Sequence, residues 1–440
     1  MKADELRKKY PKFFYRGYTH RYSGGGLHIS FHFVIPPNIS FEPRVVIRDA
    51  SKADLKRIGE TALNNLVFHL GLVKMLSYWK ATCSPEIVIQ AGSLNKQQIA
   101  WFKDLILNGM GEYFFENKID FTEPNFLTIT APGSNLPRRK ESFLRGRMKK
   151  RTLVPLGGGK DAVVTLELLK KEGVQLRPFL LNQKPEQRKI LNLAKVGKPI
   201  VVERTIDPKL LELNRKGYLN GHTPFSAYLA FLSVLCAVLF DYKYVALSNE
   251  RSSNEGNVKY LGKVINHQYS KTYEFEKKFR GYVKKYLSKD IEYFSFLRPL
   301  YELQIAKLFA KYPKYFGAFL SCNEAHKTKS GRKKPTGKWC GKCAKCLFVF
   351  LVLYPFAGEK RTVAIFKKNI LKDKKLNPLL NELTGRKRFK PFECVGTIGE
   401  SRVALSLCQE KIKSHPLLRA WNTKHFLPPR FEKILKRHYV

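Results

Sequence analysis

Thr152-Leu153-Val154-Pro155-Leu156-Gly157-Gly158-Gly159-Lys160-Asp161 is the stretch on which the reading of this 440-residue chain turns. A short apolar segment, 152–156, has the character of a buried strand. Residues 161–172 carry Leu and Val on one helical face. Between them lie three glycines, which let the backbone approach a ligand closely and adopt angles closed to other residues. The amides that open the following helix face outward, and the helix dipole favours negative charge there, so the loop suits a phosphate. It lacks the GKS/T ending of a Walker loop and the spacing of a dinucleotide GxGxxG. Taken alone, it is also compatible with a plain strand-to-helix turn.

Downstream the strand and helix patterns alternate. Strands are expected at 174–181, 199–204 and 244–248, and helices at 185–196 and 224–240. Such alternation predicts a Rossmann-like α/β domain with a parallel sheet, whose ligands bind beyond the carboxyl ends of the strands. Upstream, strands at 27–35, 44–48 and 85–90 and helices at 53–79 and 96–107 predict an α+β N-terminal domain. Residues 137–151 are dense in Arg and Lys and read as a basic linker or lid. The expected organisation is therefore an N-terminal domain over 1–145, a nucleotide-binding domain over 146–260, and a mostly helical, cysteine-bearing part over 261–440.

Hydrophobic residues make up 44% of the chain, which fits a globular protein and excludes a disordered one. The formal net charge is +45. A charge of that size attracts nucleic acid, acidic lipid or a polyphosphate ligand. The basic residues are spread along the chain, as they also are in proteins that are uniformly basic. The first ten residues are charged and have no apolar run, so no signal peptide is expected and the location predicted is cytoplasmic. The most apolar stretch, 225–240, is shorter than the ~18–20 residues of a membrane span and reads as a buried core helix.

Cys340, Cys343 and Cys346 form a CxxCxxC run, and Cys322 offers a fourth thiolate. Two-residue spacing lets neighbouring sulfurs converge on one ion, and four thiolates suit structural zinc; an iron–sulfur cluster is the chemical rival. Cys83, Cys236 and Cys408 lie in apolar surroundings and read as small core residues. The expected strand at 244–248 runs into Asn249-Glu250-Arg251-Ser252-Ser253-Asn254-Glu255-Gly256-Asn257, a polar run at a strand's carboxyl end that suits a binding site. Asn266-His267-Gln268-Tyr269-Ser270-Lys271, Phe296-Leu297-Arg298-Pro299-Leu300 and Lys390-Pro391-Phe392-Glu393-Cys394-Val395-Gly396 follow it. A lone histidine such as His267 is more often a hydrogen-bonded structural residue than a catalyst.

The glycine loop resembles the PP-loop of the ATP pyrophosphatase superfamily, with pattern SGGxDS. Gly157 stands where that pattern has its first Ser and Ala162 where it has its last. The resemblance implies ATP and magnesium held by Gly157, Gly158, Gly159, Lys160 and Asp161, a substrate activated as an adenylate, and pyrophosphate released. The cysteine arrangement resembles the structural zinc site of 7-cyano-7-deazaguanine synthases, which are PP-loop enzymes too. The motifs LSNERSSNEGN, NHQYSKTYEFE, FLRPLYELQIAKLF, WCGKCAKCLFVF and KPFECVG, in that order over about 151–404, resemble the UDP-N-acetyl-α-D-muramoyl-L-alanyl-L-glutamate epimerases. That family implies ATP-dependent inversion of the terminal glutamate of an anionic UDP-muramoyl dipeptide. Glu250, Arg251, Asn254 and Glu255 would line the nucleotide or dipeptide site, and Arg298 would clamp a carboxylate. Glu393 and Cys394 would transfer protons, supported by Glu400 and Arg402. Two other functions remain open at this level: a PP-loop enzyme adenylating tRNA or a purine analogue, and a non-catalytic nucleic-acid binder on a degenerate loop.

Overall fold

The computed structural model describes residues 2–133, 148–326, 337–387 and 389–439. Most of the expected basic linker lies outside these residues. The strands are β1 (Lys12–Ser23), β2 (Gly26–Ile35), β3 (Ile39–Phe41), β4 (Arg44–Arg48), β5 (Glu86–Ile89), β6 (Thr128–Thr130), β7 (Thr152–Pro155), β8 (Leu176–Leu181), β9 (Ile200–Arg204), β10 (Tyr244–Leu247), β11 (Val258–Tyr260), β12 (Lys263–Ile265) and β13 (Glu292–Ser295). All but the β11–β12 hairpin belong to one 11-stranded sheet, in the order β13-β10-β7-β8-β9-β4-β2-β1-β5-β6, with β3 paired on β2.

Five of these strands, β13, β10, β7, β8 and β9, are mutually parallel. Counted by their order in the chain they run 3-2-1-4-5 from β9 to β13, a doubly wound arrangement. The order reverses direction between β7 and β10, and the crevice at that switch point lies beyond their carboxyl ends. The glycine loop leaves β7 there, and the polar run leaves β10. On the other side of the sheet β9 pairs antiparallel with β4, and β4 with β2 and β2 with β1 are antiparallel too. The fold is thus α/β on a mixed, mostly parallel sheet, continuous across the boundary expected near residue 145.

Several elements differ from the sequence reading. The helix expected at 53–79 forms as Lys52–Ile58, Glu60–Lys74 and Leu76–Trp79. Gly59 breaks it with a φ of +75°, a conformation glycine adopts without strain. β1 is absent from the sequence reading because Arg16, Gly17, His20 and Arg21 blur its alternation. β13 is likewise absent, although 261–440 is otherwise mostly helical; it is a four-residue strand in an aromatic segment. The apolar helix Phe225–Leu239 is buried along most of its length against the helix Glu60–Lys74 side of the sheet. Among the described residues, no helix is long and apolar enough to cross a membrane. The opposite core is built from the helices Lys160–Lys171, Glu302–Phe309 and Ala344–Ala357.

Candidate active site

The glycine loop is shaped by its neighbours. Gly158 has φ +91°, and a Cβ there would lie 3.1 Å from Glu186 Cγ. Its carbonyl accepts a hydrogen bond from the Leu320 amide at 2.9 Å. A Cβ on Gly157 would meet nothing within 4 Å, so that residue faces open space. Gly159 is the N-cap of the helix Lys160–Lys171 and no side chain caps it, which leaves the first helical amides pointing into the crevice.

Beside the loop lies a buried network of charge. The ammonium of Lys160 is hydrogen-bonded to Asp161 and to Glu302, the first residue of the helix Glu302–Phe309. The Glu302 amide donates to Ser252 Oγ at 3.0 Å, and Lys345 Nζ is 3.5 Å from Glu302 Oε1. Burial raises the Glu302 pKa, but Lys160 and Lys345 outweigh it and hold the carboxyl at about 2. Burial and the Glu302 charge raise that of Asp161. Glu250, in the loop that follows β10, is raised to about 7 by burial and by Glu302. Glu250 is the one carboxyl of the four-residue set Glu250, Arg251, Asn254 and Glu255 that joins this floor. Arg251 stacks on the Tyr301 ring at 4.4 Å. Asn254 accepts from the Tyr273 amide at 2.8 Å, and Glu255 accepts from the Ile398 amide at 2.9 Å. Their side chains serve the loop's own structure.

Three further expectations are corrected by the geometry. Arg298 is fully buried and donates to Glu276, Ser253 Oγ, Ser295 Oγ and the carbonyls of Glu250 and Lys271. With its donors spent inside the protein it is no carboxylate clamp; it fixes the backbone of Glu250 and Lys271. Glu393 accepts the Lys345 amide at 2.6 Å and so caps the helix Ala344–Ala357 rather than standing free for proton transfer. Glu400 accepts the Leu303 and Thr397 amides at 3.0 and 2.8 Å, and Arg402 donates to the Thr384 carbonyl at 2.6 Å; both are structural.

Cys394 is different. The residue is half-buried, and its thiol accepts from Lys271 Nζ at 3.0 Å and hydrogen-bonds His267. The His267 ring is hydrogen-bonded through Nδ1 to Glu112, and the His222 ring lies beside it, tilted by 45°, at 4.3 Å between centroids. Burial raises the Cys394 pKa, but Lys271, His267 and Lys345 outweigh it and bring it down to about 5. Burial lowers that of His267, yet Cys394 and Glu112 raise it to about 10. Near neutral pH the pair is a thiolate beside an imidazolium. Sequence reading singled out Cys394, took His267 for a structural residue, quoted Lys271 only within its motif and passed over Glu112. The Glu112 contribution comes from the N-terminal half, and no local pattern signals it.

Cys322, Cys340, Cys343 and Cys346 bring their sulfurs within 4.8 Å of one another. Cys322 and Cys343 are 4.0 Å apart and Cys340 and Cys346 3.7 Å, far beyond a disulfide bond. A tetrahedron of sulfurs at ~2.3 Å from one ion has edges of about 3.8 Å, so the cluster can hold a metal such as zinc. The chain from Cys322 back to Leu320 leads directly to the Gly158 carbonyl, which ties this cluster to the glycine loop. Cys83 and Cys236 are buried in the core, as expected, and Cys408 is partly buried.

The chain matches the MurL N-terminal domain over residues 4–296 and the MurL C-terminal domain over residues 318–428. It is 36% identical to the UDP-N-acetyl-alpha-D-muramoyl-L-alanyl-L-glutamate epimerase of a Micromonospora species, over 84% of this chain and 79% of that protein. Proteins of the same description from Xanthomonas oryzae pv. oryzae and Salinispora tropica are also 36% identical, over 79% and 78% of this chain and 75% and 72% of theirs. No solved structure matches the chain.

Proposed function

Because this chain belongs to the MurL family of UDP-N-acetyl-α-D-muramoyl-L-alanyl-L-glutamate epimerases, we propose that it inverts the terminal L-glutamate of the UDP-muramoyl dipeptide, with Cys394 as the group that takes the α-proton. The observation that carries the residue assignment is the Cys394 thiol held between Lys271 and His267 on the same floor as the glycine loop. An α-proton beside a free carboxylate is hard to remove, because the resulting dianion is poorly stabilised. ATP held as in a PP-loop, on Gly157, Gly158, Gly159, Lys160 and Asp161 with magnesium, would remove that obstacle by converting the carboxylate to an acyl-adenylate and releasing diphosphate. Lys160, Lys271 and Lys345 place positive charge around the reacting carboxyl and favour the enolate that proton removal leaves. His267 holds Cys394 as thiolate and Glu112 holds His267 as imidazolium. Proton return to the opposite face completes the inversion, and hydrolysis of the acyl-adenylate then frees the product carboxylate and AMP.

The four-thiolate cluster is proposed as structural zinc, since four sulfur ligands leave no open position for chemistry. A PP-loop enzyme adenylating tRNA or a purine analogue is not favoured, and no observation favours nucleic acid as partner. The deciding experiment is chiral analysis of glutamate recovered from UDP-N-acetylmuramoyl-L-alanyl-L-glutamate after incubation with the protein, with and without ATP. D-glutamate only in the presence of ATP, with AMP formed in step, is the expected result. Glutamate that stays L while ATP is consumed refutes the assignment, and inversion without ATP refutes the role given to the loop.

A further inference from the structure

Away from the thiol and the glycine loop, a second polar cluster lies at the carboxyl end of β9. Lys74 ends the helix Glu60–Lys74 and is 3% exposed. Its ammonium lies over the Tyr228 ring, 5.5 Å from the centroid. Arg204, the last residue of β9, lies over the same ring at 5.4 Å and over Phe225 at 5.1 Å. Among the described residues neither cation has a carboxylate within ion-pair reach, and neither donates a side-chain hydrogen bond. Arg204 Nε and the Tyr228 hydroxyl are buried with no partner. Buried lysine is almost always paired, and buried polar atoms are almost always hydrogen-bonded. Burial and the Arg204 charge press the Lys74 pKa well below its usual value.

The surroundings do not compensate these charges. Asp207, three residues beyond Arg204, accepts the Lys209 and Glu42 amides at 2.8 and 2.6 Å and donates its own amide to Tyr78 Oη. Lys80 adds a third cation, bonded to Asn220 Oδ1 at 2.7 Å and the Gly221 carbonyl at 2.9 Å. The helix end at Lys74 supplies only part of a negative charge. Two unpaired basic groups and an idle hydroxyl match a dianion better than a single carboxylate. The cluster also adjoins the proton-transfer residues, since the residue after Gly221 is His222, whose Nδ1 is 3.8 Å from Glu112 Oε2. Phe225, 40% exposed, marks its opening to solvent.

The geometry points to Lys74, Arg204 and Tyr228 as the seat of the diphosphate of a nucleotide-sugar substrate, separate from the glycine loop. This identification of the ligand rests on the function proposed above, whereas the anion site itself rests on the unpaired groups. In the substrate the diphosphate carries two negative charges and lies at a distance from the glutamate. It would thereby anchor the molecule while the reacting carbon reaches Cys394.

Titration calorimetry of the full chain with UDP, repeated with a non-hydrolysable ATP analogue present, tests this without turnover. UDP binding that persists beside the analogue, and weakens at least tenfold in Lys74→Met and in Arg204→Met, is the expected result. Tyr228→Phe should weaken it a few-fold. Lys74→Met should also keep or raise the melting temperature of the unliganded protein, because it replaces a buried, unpaired amine with an apolar side chain; a merely structural lysine would lower it. Unchanged UDP affinity in both methionine variants overturns the inference, as does displacement of UDP by the ATP analogue. A lowered melting temperature in Lys74→Met with UDP affinity intact also overturns it. UDP binding at this cluster in a protein that leaves the muramoyl glutamate unchanged would sink the epimerase reading and leave the anion site standing.

Discussion

The two cysteine-bearing sites of this chain are built in opposite ways. The four-thiol cluster draws on one stretch, from Cys322 to Cys346, and its spacing alone announces it. The Cys394 site draws on Glu112, His222, and His267 with Lys271, which come from three segments far from Cys394 in the sequence. In the first, four equivalent sulfurs converge on each other. In the second, one sulfur is surrounded by cations. Four converging thiols can hold a metal ion, whereas one thiol among cations is favoured as a thiolate.

The largest expected effect tests that contrast at its centre. Cys394→Ala should lower the rate of α-proton exchange by about 10²–10⁴-fold, the usual worth of a positioned proton-transfer group. Its metal content and melting temperature should stay close to those of the parent. Exchange that survives in Cys394→Ala would move the chemistry elsewhere on the floor.

Cys343→Ser should do the reverse. Elemental analysis of the parent should show one zinc per chain, and the variant should lose it. The melting temperature should fall by roughly 5 °C or more, because metal binding is folding energy in such sites. Visible absorbance from iron and sulfide in the parent would replace zinc with an iron–sulfur cluster. A variant that keeps its metal and stability would remove the structural role.

His267→Asn should slow exchange by roughly 10²-fold at neutral pH. Its pH profile carries the sharper information. Cys394 is held down at about 5 and His267 up at about 10, so the thiolate–imidazolium pair exists between those values. Activity should fall as pH drops through about 5, when the thiolate is protonated, and again as pH rises through about 10, when the imidazolium is lost. In His267→Asn the acid limb should move up toward the ordinary thiol value of 9.0. Glu112→Gln should have a smaller effect, about tenfold, and should move the alkaline limb down. An acid limb that stays in place in His267→Asn would show that the histidine does not act on the thiol.

The smallest effect belongs to Asn254→Ala. Its side chain serves the Tyr273 amide and the Arg251 carbonyl, so the loss should be about 1 kcal/mol of stability, with exchange nearly unchanged. A large loss of exchange would return Asn254 to the substrate site.

These contrasts also separate what sequence patterns reveal from what they do not. The glycine loop, the alternation from β7 to β10 and the cysteine spacing are local periodicities, and each was legible. The continuous sheet was not, because the β4–β9 pairing joins segments with no shared pattern. Glu250 and Cys394 lie among the buried charges around Lys271 and Glu302. Arg298, Glu393, Asn254 and Glu255 carry the same polar types in equally suggestive motifs, yet their groups are consumed by backbone partners. Residue type does not reveal which hydrogen bonds a folded neighbour will claim. The Lys74–Arg204–Tyr228 cluster was invisible for a related reason: each residue is ordinary in its own helix or strand, and only their convergence leaves them unpaired.

The most direct test of the account is the reaction of UDP-N-acetylmuramoyl-L-alanyl-L-glutamate with ATP in deuterated water, followed by mass and chiral analysis of the glutamate. The account predicts D-glutamate carrying one deuterium at the α-carbon from the parent protein, and unlabelled L-glutamate from Cys394→Ala. Equal labelling and inversion by both proteins would contradict it.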